Sequence, residues 1–362
     1  MKVLITAGGS GGHIYPALAI INKIKEKEPD SEFLYVGTTD RMEADIIPKK
    51  NIPYLGIEMK GLNRKNPFKN VSVIKKLLKN IKLLKKEIKK FDPDIVIGVA
   101  GYVTAPVIYA AKKLGYKTFI HEQNSEPGVS NKFLSHYADK IGISLEVSAK
   151  HFPKKKVVYT GNPRSEEVIS GTKVSKDKLG LSLDKNHKLV VMVMGSLGSN
   201  SMNNHFKETL PLFNNKDYDV VFVTGKAYYD EYKNLKTTTN VKIVPYIDNM
   251  VDVLKNTDLI ISRAGATSIA EITALGIPSI IVPSPYLTNN HQIKNGKVLE
   301  DSKASIVIQE KDYNSKEFVE TIDKILTDKE LYTTLKTNSY NMGVRDSATK
   351  IYNELKKMVD GE

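Results

Sequence analysis

Short, mostly apolar runs recur along the chain at residues 3–6, 33–36, 95–99, 117–120, 140–143 and 157–160, and most of the intervals between them carry apolar residues at helical spacing. Runs this short and continuous fit strands buried on both faces, and their alternation with helices predicts an open parallel sheet. The pattern breaks at Gly161-Asn-Pro-Arg164, after which residues 165–188 are polar and irregular. A second series of apolar runs follows at 189–194, 220–224, 241–245, 259–262, 279–282 and 304–308. The chain therefore reads as α/β with two doubly wound domains joined near residues 161–188. Ligands are expected at the carboxyl ends of the strands and in a cleft between the domains. A last helical pattern, about residues 348–359, is assigned to pack back on the first domain.

The polar residues of interest sit where the strands end. After the first run, Gly8-Gly-Ser-Gly-Gly-His13 supplies four glycines and a histidine, and the next helix is predicted to open near Tyr15-Pro16. Glycine lets backbone N–H groups approach a ligand, and a helix N-terminus favours anions there. The spacing departs from the dinucleotide fingerprint, because Ile14 fills the third glycine position and the second run ends in Gly-Thr-Thr-Asp. Gly101-Tyr102 and Thr104 follow the third run, and His121-Glu-Gln-Asn124 the fourth.

In the second half, Gly195-Ser196-Leu-Gly198 forms a small-residue turn suited to a diphosphate. Arg263-Ala-Gly-Ala-Thr-Ser-Ile-Ala-Glu271 would open a helix at 265–268 and carry a carboxylate one turn in, able to accept from both ribose hydroxyls. Asn290-His-Gln292 and Asn295 offer the neutral donors and acceptors that read sugar hydroxyls. Each loop also has an ordinary reading: a tight turn, a first-turn acid answering the helix dipole, a surface cation or an N-cap. Such loops, recurring at the carboxyl ends of strands, argue together for a binding site.

Length and charge refine the picture. A chain of 362 residues fits two α/β domains, the absence of Cys removes disulfides and thiolate metal sites and fits a reducing compartment, and no apolar run reaches the ~20 residues that span a bilayer. The formal charge is +13, concentrated in KNVSVIKKLLKNIKLLKKEIKK at residues 69–90. There Ile74, Leu77, Leu78, Ile81, Leu84 and Ile88 form the expected inward stripe. Lys75, Lys76, Lys79 and Lys82, with Phe68, Val73 and Leu83, are read either as a solvated face or as a surface resting on anionic lipid headgroups. Nucleic acid is not expected, since no RNA-binding or helix-turn-helix signature accompanies the charge.

Taken in order, Gly8–His13, Gly101-Tyr102, His121–Asn124, Gly161–Pro163, Gly195-Ser196, Arg263–Glu271 and Asn290–Gln292 resemble the MurG family of N-acetylglucosaminyltransferases over nearly the whole chain. The resemblance implies a GT-B fold of two Rossmann-like domains facing a deep cleft: residues 1–162 with about 343–362 for the acceptor and membrane, and 163–342 for the donor. It implies inverting transfer of N-acetylglucosamine from UDP-N-acetylglucosamine to the C4 hydroxyl of undecaprenyl-diphospho-muramoylpentapeptide (lipid I). It also implies work done peripherally at the cytoplasmic face of the cell membrane, with cell-wall synthesis proteins as candidate partners and no cofactor required.

Carried over by position, Ser10, Gly11, Gly12, Asn124, Arg164, Ser196, Ile247, Ala266, Thr267, Ser268, Glu271 and Gln292 are expected at the donor. Gly8, Gly9, Gly11, Gly12, His13, Tyr102 and Asn124 are expected at the acceptor, with His13 as base and Arg263 beside the phosphates. Arg164 directly follows Pro163, one residue earlier than in many members, and His291 replaces a second glutamine found in some. No metal is expected, because Asp92-Pro-Asp94 and Asp217-Tyr-Asp219 precede strands and so lie opposite the active end. A UDP-N-acetylglucosamine 2-epimerase or a GT-B transferase with another acceptor is the alternative; a noncatalytic nucleotide-sugar binding subunit and a dinucleotide oxidoreductase are weaker ones.

Overall fold

The computed structural model describes residues 1–59, 70–195, 197–287 and 290–362, and of residues 70–74 the backbone alone. The chain divides into two units, residues 1–167 with 346–362, and residues 168–345.

The first unit holds seven strands: β1 (Lys2–Thr6), β2 (Glu32–Thr38), β3 (Tyr54–Ile57), β4 (Ile95–Gly98), β5 (Lys117–Glu122), β6 (Lys140–Ile143) and β7 (Val157–Tyr159). All pair in parallel in the order β3-β2-β1-β4-β5-β6-β7. Between them run α1 (Gly11–Lys27), α2 (Glu43–Ile46), α3 (Asn70–Phe91), α4 (Thr104–Lys113) and α5 (Val129–Leu134), while α6 (Arg164–Ile169) leads out of the unit. The period-2 alternation of side chains divides β1 between two cores. Val3 and Ile5 pack with α1 residues such as Ile14 and Ile21 and with Ile351 and Leu355 of the C-terminal helix, Ser347–Asp360. Leu4 packs on the other side with Leu84 and Ile88 of α3, Val107 and Ile108 of α4 and Leu134 of α5.

The second unit repeats the plan with β8 (Lys188–Val193), β9 (Tyr218–Val223), β10 (Val241–Val244), β11 (Leu259–Ser262), β12 (Ser279–Ile281) and β13 (Ile306–Val307), all parallel in the order β10-β9-β8-β11-β12-β13. Its helices are α7 (Asn200–Thr209), α8 (Tyr229–Tyr232), α9 (Met250–Leu254), α10 (Ala266–Leu275), α11 (His291–Asp301), α12 (Ser315–Thr327) and α13 (Lys329–Met342). Met202 and Phe206 of α7 with Phe318 and Ile322 of α12 cover one face. Ile269 and Ile272 of α10, Val253 and Leu254 of α9 and Leu299 of α11 cover the other. In each sheet the strand order reverses beside the first strand, between β1 and β4 and between β8 and β11. Loops leaving those strands are where an open α/β sheet binds ligands.

Five expectations are corrected. The helix expected to open at Tyr15-Pro16 starts at Gly11, with the N–H groups of His13 and Ile14 already donating to the Ser10 carbonyl; two adjacent glycines disguised its first turn. The edge strand β3 was absent from the sequence reading because Tyr-Leu-Gly-Ile is short and glycine interrupts it. The boundary expected at 162/163 falls at 167/168, since the Ser347 hydroxyl donates to the Asn162 carbonyl and Glu166 accepts from Thr349 and pairs with Lys23. Leu78, placed in the inward stripe of α3, is 63% exposed, whereas Leu84 and Ile88 are buried. Asp219, expected ahead of its strand, is the second residue of β9.

Candidate active site

In the first unit the loops after β1 and β4 press directly together. Gly101 has φ +95°, and a Cβ there would lie 2.6 Å from the Gly8 carbonyl oxygen, so only glycine permits this approach. Ring nitrogen Nδ1 of His13 lies 2.9 Å from that same Gly8 oxygen. A carbonyl only accepts, so Nδ1 is the nitrogen that donates here, and Nε2 is the one left to accept in the neutral form of the ring. Ser10 and Gly12 are exposed and Gly11, His13 and Tyr102 half-buried around this point.

Gly9 departs from the expected arrangement. Its N–H is not turned to a ligand but donates to Oε2 of Glu43 at 3.0 Å. Glu43 is fully buried, and its Oε1 accepts from the Thr38 N–H at 3.1 Å and the Thr38 hydroxyl at 2.8 Å. The loop thus has a carboxylate built beneath it.

The His121–Asn124 segment is mostly scaffold. His121 is buried, its Nε2 donating to the Gly161 carbonyl at 3.0 Å and its Nδ1 accepting from the Gln123 amide at 3.1 Å. Burial pulls its pKa down to about 4, so the ring is neutral at physiological pH. Buried Glu122 accepts from the N–H of Asn124 and of Gly128, and from the side-chain amides of Asn124 and Asn131. Only Asn124 of the four is half-exposed, in an orientation that Glu122 fixes. Arg164 pairs with Glu167 at 2.6 Å and lies 5.7 Å over the Tyr15 ring.

In the second unit the loop after β8 depends on Gly198, whose φ is +78° and whose Cβ would stand 2.1 Å from the Thr224 carbonyl oxygen. Ser196 lies outside the described residues, as does Phe68; the side chains of Val73 and Ile74 do too. Thr267, Ser268 and Glu271 are half-buried on the outer face of α10, which turns Ile269, Ile272 and Thr273 inward; Ala266 begins the helix, and Ile247 is buried in the turn after β10. Glu271 is the sixth residue of α10, past the first turn, so an answer to the helix dipole does not explain it. Buried Gln292 accepts the Ser284 N–H through Oε1 at 2.9 Å, which assigns its amide nitrogen as the group facing away from that bond.

Arg263, expected beside the phosphates, is 5% exposed and engaged inward at both terminal nitrogens. Nη1 donates to the Val282 carbonyl at 3.1 Å and pairs with Glu310 at 2.7 Å, and Nη2 reaches the hydroxyls of Ser199 and Ser201 at 2.7 and 3.3 Å. The arginine therefore ties together the loops after β8, β11 and β12 and the turn at Glu310. Three acids of the two Asp pairs are engaged as well: Asp94 accepts the Lys2 N–H, Asp92 the Tyr116 hydroxyl, and Asp219 the Asp184 N–H.

The two halves of this arrangement correspond to known domains. The glycosyltransferase family 28 N-terminal domain matches residues 3–143, and the family 28 C-terminal domain matches residues 189–351. A relative from Bacillus thuringiensis (strain Al Hakam), 46% identical over 99% of this chain and 100% of its own length, is named UDP-N-acetylglucosamine--N-acetylmuramyl-(pentapeptide) pyrophosphoryl-undecaprenol N-acetylglucosamine transferase 2. The chain belongs to glycosyltransferase family 28, among its MurG members. The crystal structure of Acinetobacter baumannii MurG matches with a TM-score of 0.78 at 25% identity, covering 98% of this chain and 99% of that one. A UDP-GlcNAc 2-epimerase from Neisseria meningitidis matches with a TM-score of 0.67 at 17% identity over 99% of this chain and all of its own, a likeness of fold. The two parallel sheets are thus the Rossmann-like halves of a GT-B glycosyltransferase. In this family 28 chain, sequence reading missed Glu43 and Glu310. Neither belongs to one of the glycine-bearing motifs, and only the fold carries each beneath a loop.

Proposed function

We propose that this enzyme transfers N-acetylglucosamine from UDP-N-acetylglucosamine to the C4 hydroxyl of the muramoyl-pentapeptide on undecaprenyl diphosphate, giving the lipid-linked disaccharide with inversion. Likeness over 99% of the chain, at 46% and 43% identity, to relatives named as UDP-N-acetylglucosamine--N-acetylmuramyl-(pentapeptide) pyrophosphoryl-undecaprenol N-acetylglucosamine transferases supports the donor and acceptor of this reading. The epimerase alternative has only a likeness of fold behind it.

The second unit takes the donor. Its uracil rests near Ile247, its ribose hydroxyls on Glu271, its diphosphate near Ser196, Ala266, Thr267 and Ser268, and its sugar hydroxyls on the Gln292 amide. Arg263 serves by holding the loops in place, in the manner its internal bonds support. The first unit takes the acceptor diphosphate at Gly8, Ser10, Gly11 and Gly12, with His13, Tyr102 and Asn124 toward the sugar.

In the reaction the C4 hydroxyl attacks C1 of N-acetylglucosamine; the O4–C1 bond forms as the bond from C1 to the UDP β-phosphate oxygen breaks. The bonding pair leaves with UDP, and the hydroxyl proton passes to Nε2 of His13. Helix N-termini and backbone N–H groups answer the charge growing on the diphosphate, so no metal is required. Lys75, Lys79 and Lys82 of α3, exposed with Leu78 and Leu83, form the surface that meets anionic lipid at the cytoplasmic face; Lys76 shares its charge with Glu58 at 2.8 Å. Among the described residues no helix is long and apolar enough to cross a membrane.

The test is NMR of the product made on a short-chain lipid I analogue. A β linkage to O4 is expected. An α linkage, or release of an epimerised sugar, contradicts the reading.

A further inference from the structure

The bonds around Gly8 and Gly9 form one continuous line. The N–H of Gly9 and the carbonyl of Gly8 belong to a single peptide group and point to opposite sides of it. On one side the N–H donates to Glu43 Oε2 at 3.0 Å; on the other the carbonyl accepts from His13 Nδ1 at 2.9 Å. Behind Glu43, both donors of Thr38 hold Oε1. Glu43 is fully buried, and among the described residues its side chain accepts only from N–H and O–H donors. Space reinforces the arrangement: a Cβ on Gly8 would meet Glu43 Oε1 at 2.4 Å, and one on Gly37 would meet Glu43 Cγ at 2.7 Å. The absence of a Cβ at both positions leaves the room this carboxylate occupies.

We propose that Glu43 is the positioning residue of His13, acting through the Gly8–Gly9 peptide as an orienting carboxylate acts on a catalytic imidazole by direct contact. The carboxylate fixes the plane of the peptide and polarises it, since hydrogen bonds in series strengthen one another. The Gly8 carbonyl becomes a stronger acceptor, holds the proton on Nδ1 and leaves Nε2 as the base. When Nε2 takes the C4 hydroxyl proton, the imidazolium gains the same support, and the proton on Nδ1 stays where it is. The inference rests on the reading of His13 as the base. It explains why a carboxylate that accepts only from N–H and O–H donors among the described residues is buried beneath a loop assigned to an anion: it serves the cation that forms during the reaction.

The test is the tautomer of His13, read from ¹⁵N chemical shifts of the whole protein at a pH where the ring is neutral and assigned against His13→Ala. The wild-type protein should show protonated Nδ1; protonated Nε2 overturns the proposal without any variant. Glu43→Gln has one carbonyl oxygen for donors that now use two, so one N–H loses its acceptor. Its His13 should move toward the Nε2–H form, and kcat should fall on the order of 10- to 100-fold, the range for residues that orient a reacting group. The KM for UDP-N-acetylglucosamine should stay unchanged. An unaltered tautomer in Glu43→Gln, or a loss confined to thermal stability, overturns the proposal. Full activity of His13→Ala overturns the base reading instead, whatever the tautomer measurement gives for the bond through the peptide.

Discussion

At the residue scale, chemistry is set by partners that local sequence does not reveal. Glu271 was legible as an acid on the helix after a glycine turn, and the structure puts it past the first turn on the outer face of α10. Glu271→Ala should therefore weaken UDP-N-acetylglucosamine binding by calorimetry roughly 10- to 100-fold, the value of hydrogen bonds to a charged group, with acceptor KM unchanged. Arg263 and His121 were legible as polar residues at strand ends, but their burial was not. His121 has its pKa lowered to about 4 by burial, so the unfolded chain takes up a proton near pH 6.5 that the folded protein refuses. Its contribution is complete above pH 6.5 and is lost as pH falls from there toward about 4, at most about 3 kcal/mol. Urea unfolding across that window should show this slope in the wild type and a shallower one in His121→Asn.

At the element scale, strands were read well because buried parallel strands are continuous apolar runs, and helices less well where glycine or a short edge concealed them. The start of α1 at Gly11 matters most, since it makes Gly11, Gly12 and His13 the first helical turn rather than a loop. The lysines of α3 were plain in the sequence; which apolar positions face outward was not, and Leu78 joins Leu83 there. Replacing Lys75, Lys76, Lys79 and Lys82 by Gln should lower partitioning onto vesicles with anionic lipid by 10-fold or more, at about 1 kcal/mol per lysine near the surface. Activity on a short-chain soluble acceptor should change little. The loops of the second unit depend on one ion pair between elements distant in sequence, Arg263 with Glu310. Arg263→Ala leaves a buried carboxylate uncompensated and should cost about 3–5 kcal/mol in urea unfolding, part of it recovered when Glu310 is also replaced by Leu.

At the scale of the whole molecule, two sheets with the same strand plan present glycine-bearing loops at the strand ends beside their reversal points. The two sheets and the loops at their strand ends were legible because the motifs fall in order at the ends of apolar runs. The carboxylates under the loops were not, because burial of a charge is a property of the fold. The measurement that bears most directly on the account is transfer of labelled N-acetylglucosamine from UDP-N-acetylglucosamine to a short-chain lipid I analogue, with EDTA present and a control lacking acceptor. The account predicts labelled lipid-linked disaccharide and UDP in equal amounts, undiminished by EDTA and absent from the control. Donor binding without disaccharide, or activity abolished by EDTA and restored by a divalent cation, would contradict it.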